Sequence, residues 1–468
     1  MTLDNDRETE MSIAHRYAEF CTVLRFEDFP AEVVDHAKKL VVDIIANAIG
    51  GHAWMESGPL VAASIRGLNR GAGGATVLAT GEAMAPEWAA LLNGTASHSL
   101  DYDNHHAKGV IHAGSSVVPA ALSAGEERGV SGQEVLTAIV AGYEIACRLA
   151  MACNPFSSHE MGFHPTGTCG VFGATAAVGK LNGLTAAQLE NAFGINGSQA
   201  AGSMQYDLNS AWNKRAHPGF AAHSAFIAVA LATNGFIGAA EPIEGRNGFL
   251  RAYSLRPQPE RATEGLGDVF ETLEIAIKPY PLCRYTHMTL DQLISLASEE
   301  DLGPESVRSI QVELPTYGVD LVGRPLDMKR QARSAVDAQF SAPFAAALAL
   351  TRRQAGMHTF RQVIDEGPDD EFRRLMAATS VEPAEDLDAI HPELWPGRVT
   401  VHTADRTFTR YGEHIKGERS NPMSWDDVRN KLGELAPRHS AATLDDVVEA
   451  VRTIEDRTIH DVIAPLRT

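Results

Sequence analysis

Four of the eighteen histidines of the chain, His98, His105, His106 and His112, fall within fifteen residues in the segment HSLDYDNHHAKGVIHAG. Uniform scattering would place fewer than one there, and two carboxylates, Asp101 and Asp103, share the segment. Imidazole titrates near neutrality and both gives and takes protons, so the segment fits a proton-transfer site. Two other readings stand beside that one. The same donors could ligate a metal, although a helical His-x-x-x-His and a tight His-x-His are missing. They could equally be polar residues of a solvated or core-satisfied loop.

Three further segments couple a proton carrier or a cation to residues that break regular structure. Gly162-Phe163-His164-Pro165-Thr166-Gly167 puts a histidine before proline, hence outside a helix, ahead of an Ala/Gly-rich helix. Lys214-Arg215-Ala216-His217-Pro218-Gly219 puts two cations and a histidine at another helix entrance. Lys278-Pro279-Tyr280-Pro281-Leu282-Cys283-Arg284-Tyr285-Thr286-His287 is a proline-stiffened cationic turn. Together they supply a local positive pocket able to hold a polycarboxylate. Such a pocket must oppose the global field, because 40 Lys and Arg against 60 Asp and Glu give a formal net charge of −20. That charge repels polyanions, so neither nucleic acid nor an anionic membrane is expected as a partner.

Other chemistries fail on spacing. Gly173-x5-Gly179-Lys180 has one residue too many for a phosphate-binding loop, and Leu181 replaces the magnesium-holding hydroxyl. The glycines at 71, 73 and 74 do not form G-x-G-x-x-G, and no G-x-S-x-G elbow occurs. Cys21, Cys147, Cys153, Cys169 and Cys283 are scattered without a C-x-x-C pair, as expected of buried thiols in a reducing cytoplasm. The acidic, polar start MTLDNDRETEMS is unlike a signal peptide, so a cytoplasmic protein is expected. The stretch Ala216–Ala240 lacks Lys, Arg, Asp and Glu but contains proline, glycines and histidines, and is read as a helix buried in protein.

The elements that position these segments are mostly helical. At 468 residues with 44% apolar and 21% charged side chains, the chain suits two soluble units or one large composite. Val33/Val34, Ala37, Leu40/Val41, Ile44/Ile45 and Ala48 recur at helical spacing, with Pro30 at the start and Gly50–Gly51 as the expected stop. Ser131/Glu134 and Thr185/Gln188 form capping boxes that open two more helices. The breaker-rich Arg256–Gly267 is the strongest candidate boundary. Beyond it Ser309–Leu314 reads as a strand, Ala335–Leu350 as an apolar helix, and Arg398–His402 with Thr407–Tyr411 as a hairpin. Helices return after Pro422, around Trp425–Leu432 and Leu444–Val451.

Taken in order, NGTASHSLDYDN, GFHPTGTCGVFGATAAVGKLNGL, KRAHPGFAAHSA, EGRNGF, KPYPLCRYTH, DAQFSAPFAAAL and NPMSWDD resemble the MmgE/PrpD family over nearly the whole chain. The resemblance implies a mainly α fold, with a large all-helical domain formed by both chain ends (1–262 and 415–468) and an inserted, smaller α+β lid domain (263–414). It implies a homodimer without cofactor or metal, acting on a small anionic carboxylate. By motif it assigns Asp101, His112, His164, Lys214 and Lys278 to catalysis and His106, Arg284 and Tyr317 to substrate binding. The sequence departs from the family pattern at Asn104-His105, where Asp-Thr is frequent. It departs again at Ile111-His112-Ala113-Gly114, which does not reproduce the His-Pro-Ser of the family's dehydratases and decarboxylases.

Known members of such a family make or protonate a carbanion beside a carboxylate. Cations fixed in a water-poor cleft stabilise the resulting enolate-like state. The expected activity is therefore a metal-independent lyase, a dehydratase or decarboxylase, acting on a di- or tricarboxylate. The first alternative is an epimerase of an imino- or hydroxy-dicarboxylate. The second is a non-catalytic member that only binds polycarboxylates.

Overall fold

Why the middle of the chain collapses into stacked helices is visible in the Gly132–Ala152 helix. Its capping box is formed, with Ser131 Oγ accepting from the Glu134 main chain and the Glu134 carboxylate receiving the Ser131 N–H. The helix is long and apolar enough to cross a membrane, yet its most apolar window is wholly buried in protein, as in a core helix. Gly114–Arg128 and Gly170–Leu181 pack on it, and Pro86–Ser97 and Asn213–Thr233 form the next layer, against those two and each other. Small residues set the spacing. A Cβ on Gly142 would stand 2.8 Å from the Gly173 carbonyl oxygen, and one on Gly173 would stand 2.5 Å from that of Gly142. The computed structural model describes residues 11–71, 73–209 and 211–467, so most of the acidic N-terminal stretch lies outside the described residues.

The chain is 60% helix and 9% strand, hence mainly α with a small sheet. That sheet runs in the order Thr379–Pro383, Ser309–Leu314, Gly397–His402, Thr407–Gly412. The first pair is parallel and the others antiparallel, with Ile310 opposite both Thr379 and Val401. Strict alternation buries Ile310, Val312 and Leu314 on one face, and the sheet meets the His287–Glu299 helix through Gly397–His402 and Thr407–Gly412 and the Ala342–Arg352 helix through Thr379–Pro383. At the far end of the chain, Trp425–Leu435 and Ala441–Arg452 pack back onto Ala31–Trp54.

Three readings of the sequence are corrected. The first helix does not stop at Gly50–Gly51 but runs Ala31–Trp54. Those glycines serve close approach instead, since a Cβ on Gly51 would lie 1.9 Å from the Ala96 carbonyl oxygen and one on Gly50 would meet Leu100 and Leu435. The apolar run Ala335–Leu350 is two helices, Ala335–Gln339 and Ala342–Arg352, because Ser341 turns out to cap the second, with Pro343 in its first turn. The uncharged stretch from Ala216 is not a buried helix. Asn213–Thr233 buries one face only, leaving Phe220, Ile227 and Leu231 exposed.

The breaker-rich Arg256–Gly267 is tied to the core. The buried Arg148 guanidinium donates to the carbonyls of Glu264, Gly265 and Val269. One turn earlier on the same helix, Glu144 accepts from the Glu271 and Thr272 main chain at 3.0 and 2.8 Å. One core helix thereby clamps the segment that leads to Lys278.

Candidate active site

The site loop leaves the Pro86–Ser97 helix at His98, its C-cap, and re-enters helix at Gly114. Within it, His105–His106 pairs antiparallel with Ile275–Ala276, His105 opposite Ala276 and His106 opposite Ile275. This register brings the start of the cationic turn, Lys278, to the loop. Its ammonium donates to the main-chain carbonyl of Asp101 and to Asp101 Oδ2 at 3.1 Å. Lys214, in the first turn of Asn213–Thr233, reaches Asp101 Oδ1 from the other side. Two cations from distant parts of the chain thus meet on one buried carboxylate. Burial pushes the Asp101 carboxyl up, but Lys214 and Lys278 override it and hold it well below its ordinary range. Asp101 itself has φ of 51°, a left-handed backbone that is sparsely populated outside glycine and that its lysine contacts hold in place.

Next to this charge centre stands a carboxylate between imidazoles. His98 Nδ1–H donates to Asp103 Oδ2 at 2.8 Å, and Ser115 Oγ–H donates to the same oxygen at 2.5 Å. His112 Nδ1 lies 3.2 Å from Asp103 Oδ1 without hydrogen-bond alignment. The His98 ring is edge-on to His112, with centroids 4.8 Å apart, and stacks on His164 at 5.6 Å. His164 caps Pro165–Thr168, its main-chain N–H fixed to the Gly202 carbonyl at 2.8 Å. His98 and His112 lie close enough to Asp101 for their charge to act on it, and Lys214 acts likewise on His98, so Asp101, His112, His164, Lys214 and Lys278 belong to one largely buried cluster.

The substrate-binding candidates fare differently. His106 points away, sharing a 3.0 Å hydrogen bond with Glu271 through Nε2 and accepting from Gly109 N–H. Arg284 is buried, paired with Glu418 and set over the Trp395 ring at 4.8 Å, while its Nε and Nη1 have no hydrogen-bond partner among the described residues. Tyr317 stacks on His159 and shares a 2.6 Å hydrogen bond with its Nδ1. Trp395 stacks on Tyr285 at 4.3 Å and meets the His105 ring at 5.2 Å, so the sheet-bearing part of the chain covers the His105–His112 side.

Several residues central to this arrangement were not singled out from sequence. His98 and Asp103 were noticed only as part of a histidine-rich segment, although an Asp five residues from a His in a short loop can close onto it. Asp43 and Lys431 carried no signal as a pair. They form a buried 2.6 Å ion pair from which Lys431 also donates to the Tyr102 and Lys278 carbonyls at 2.7 and 2.9 Å, bracing the loop from behind. Lys431 is a charge among the buried apolar residues Val428, Leu432 and Leu435 of its helix, which was the available clue.

The buried histidines make stability depend on acidity. Burial lowers His98, His159, His217 and His391 to about 4 each, from an ordinary value near 6.5. The unfolded chain takes up those protons as pH falls below about 6.5, while the folded chain does not until about pH 4. The stabilising contribution is complete above pH 6.5 and lost on the way down to 4. Urea denaturation across this window is expected to show a steady fall in unfolding free energy, and a flat profile would contradict the burial.

His98, Asp103 and His112 place ligand atoms within 4.8 Å of one another, a set that could hold a divalent cation. In the arrangement seen, Asp103 Oδ2 is already engaged by His98 and Ser115, which suits an orienting carboxylate.

Residues 15–262 match the MmgE/PrpD N-terminal domain and residues 280–456 the MmgE/PrpD C-terminal domain. Similar curated proteins include a cis-aconitate decarboxylase of Aspergillus terreus, 28% identical over 92% of this chain and 90% of the relative. A second, from A. terreus strain NIH 2624, is 26% identical over 97% of this chain and 96% of the relative. The human cis-aconitate decarboxylase is 26% identical, covering 82% of this chain and 79% of its own length.

Proposed function

This chain belongs to the MmgE/PrpD family, and from that premise we propose that it is a metal-independent lyase that removes carbon dioxide or water from a small di- or tricarboxylate. The relatives named above are decarboxylases, which supports lyase-type chemistry. The observation that carries the reading is the convergence of Lys214 and Lys278 on Asp101, beside the imidazoles of His98, His112 and His164. The lysines take the substrate carboxylates and the negative charge that develops as the carbanion forms, in a site where few water dipoles compete. Asp101 is then the internal anion that a substrate carboxylate displaces or shares. His112 and His164 move the protons, and Asp103 holds the imidazoles in one orientation.

Proton NMR in deuterium oxide over citrate-, aconitate-, malate- and aspartate-type acids tests this. Net conversion to a decarboxylated or unsaturated acid is expected. Deuterium entering recovered substrate with no new product would point instead to an epimerase, and inertness towards all of them to a binding protein. Exhaustive treatment with EDTA is expected to leave the rate unchanged. Loss of activity that a single added metal restores would overturn the metal-free part and place the ion among His98, Asp103 and His112.

A cytoplasmic homodimer is part of the proposal. The uncharged, exposed Ile227, Leu231, Phe236 and Ile237 support self-association, since an apolar face in a chain of net charge −20 is where like-charge repulsion is weakest. Light scattering that returns the mass of one chain would remove it.

A further inference from the structure

His164 has a partner that neither the motif nor the charge centre explains. Its Nδ1 lies 3.0 Å from Nδ1 of His217, one turn into the Asn213–Thr233 helix, with ring centroids 5.3 Å apart. A hydrogen bond between two ring nitrogens needs one N–H and one lone pair, so it holds a single proton. If His164 is the donor, its Nε2 is bare and basic. If His217 is the donor, His164 Nε2 carries hydrogen and is an acid. Burial lowers both groups below their ordinary value, helped at His164 by His217, His98 and Lys214 and at His217 by His98 and Lys214, which agrees with two neutral imidazoles.

His217 also stands at an edge. It lines a cavity of about 430 Å³ together with Gly167, Gly202, Tyr206, Asn213 and Phe220, whereas His164 is not among its walls. Gly167 permits the placement, because a Cβ there would lie 3.2 Å from that of His217 and 2.4 Å from the Ala201 carbonyl oxygen. The groups facing His217 are His164, His98, the Tyr206 ring at 5.9 Å and Lys214. No carboxylate among the described residues shares a hydrogen bond with it.

We propose that His217 is a positioning residue that sets, through one shared proton, whether His164 acts as base or acid, and that passes this proton to and from the adjoining cavity. The inference rests on the lyase reading and deepens it. As His164 Nε2 takes a proton from substrate carbon, the Nδ1 proton of His164 moves to His217 Nδ1. The Nε2 proton of His217 leaves to water or buffer in the cavity. Both imidazoles end neutral with their tautomers exchanged, and His164 now carries the proton that a leaving hydroxyl or a product carbanion needs. The reverse transfer resets the pair.

Two measurements separate this from a packing role. Nitrogen-15 NMR of histidine-labelled wild-type protein is expected to show His164 and His217 in opposite tautomers, and His217→Asn is expected to change the His164 signals. Identical tautomers, or either ring fully protonated at neutral pH, overturn the inference whatever the activity. In kinetics, His217→Asn is expected to lower kcat about 10- to 100-fold with KM within about threefold, as loss of an assisted proton transfer does. His217→Gly is expected to recover activity with added imidazole but not with thiazole, which has the shape without the N–H. Equal rescue by both, or an unchanged kcat in His217→Asn, overturns it. Wild-type protein that turns over no acid removes the lyase reading, while the NMR experiment still decides the shared proton.

Discussion

Replacing Lys278 by methionine is expected to lower kcat by at least about 100-fold and to cost the fold about 3–5 kcal/mol. Both effects come from one geometry. Lys278 is 1% exposed and bonds the carbonyl and the carboxylate of Asp101, so its loss leaves a buried anion with half its compensation. Lys214→Met is expected to show the same rate loss with less destabilisation, because its side chain keeps some contact with water, 15% exposed against 1% for Lys278. Steady-state rates on the acid identified by NMR, with urea denaturation of each variant, read the two effects separately. The double variant Asp101→Asn/Lys278→Met is expected to regain stability without regaining rate. Near-wild-type turnover in both lysine variants would defeat the charge-centre assignment.

His164→Ala is the second large effect, expected to reduce turnover by about 10²- to 10⁴-fold, the range for removing a positioned acid–base group. The loss should sit in kcat with little change in KM, because His164 touches substrate through a proton and not through a carboxylate. His106→Ala is the internal control. Its ring is turned to Glu271, so turnover within a few-fold of wild type is expected.

How much of this was legible beforehand follows the range of each interaction. Capping boxes at Ser131 and Thr185 and the hairpin around Ala404–Asp405 are written within four to fifteen residues and read correctly. The Thr379–Pro383 strand was missed because it is short, ends in proline and pairs in parallel with a strand some 70 residues away. His105 and His106 are neighbours in sequence but alternate across a strand, so one faces Trp395 and the other Glu271. No local pattern tells which. Gly50–Gly51 looked like a helix stop because the groups they admit, Leu100 and Leu435 at Gly50 and the Ala96 backbone at Gly51, come from elsewhere in the chain.

The bond from Lys278 to Asp101 spans 177 positions of chain. Closing so long a loop costs roughly 4–5 kcal/mol in chain entropy before any ammonium meets its partner. Lys278 lies between the two matched stretches, of which the first ends at 262 and the second begins at 280. The Asp101 charge centre is therefore complete only when both parts of the chain are in place, with the strip held by Arg148 and Glu144 setting Lys278 beside Asp101.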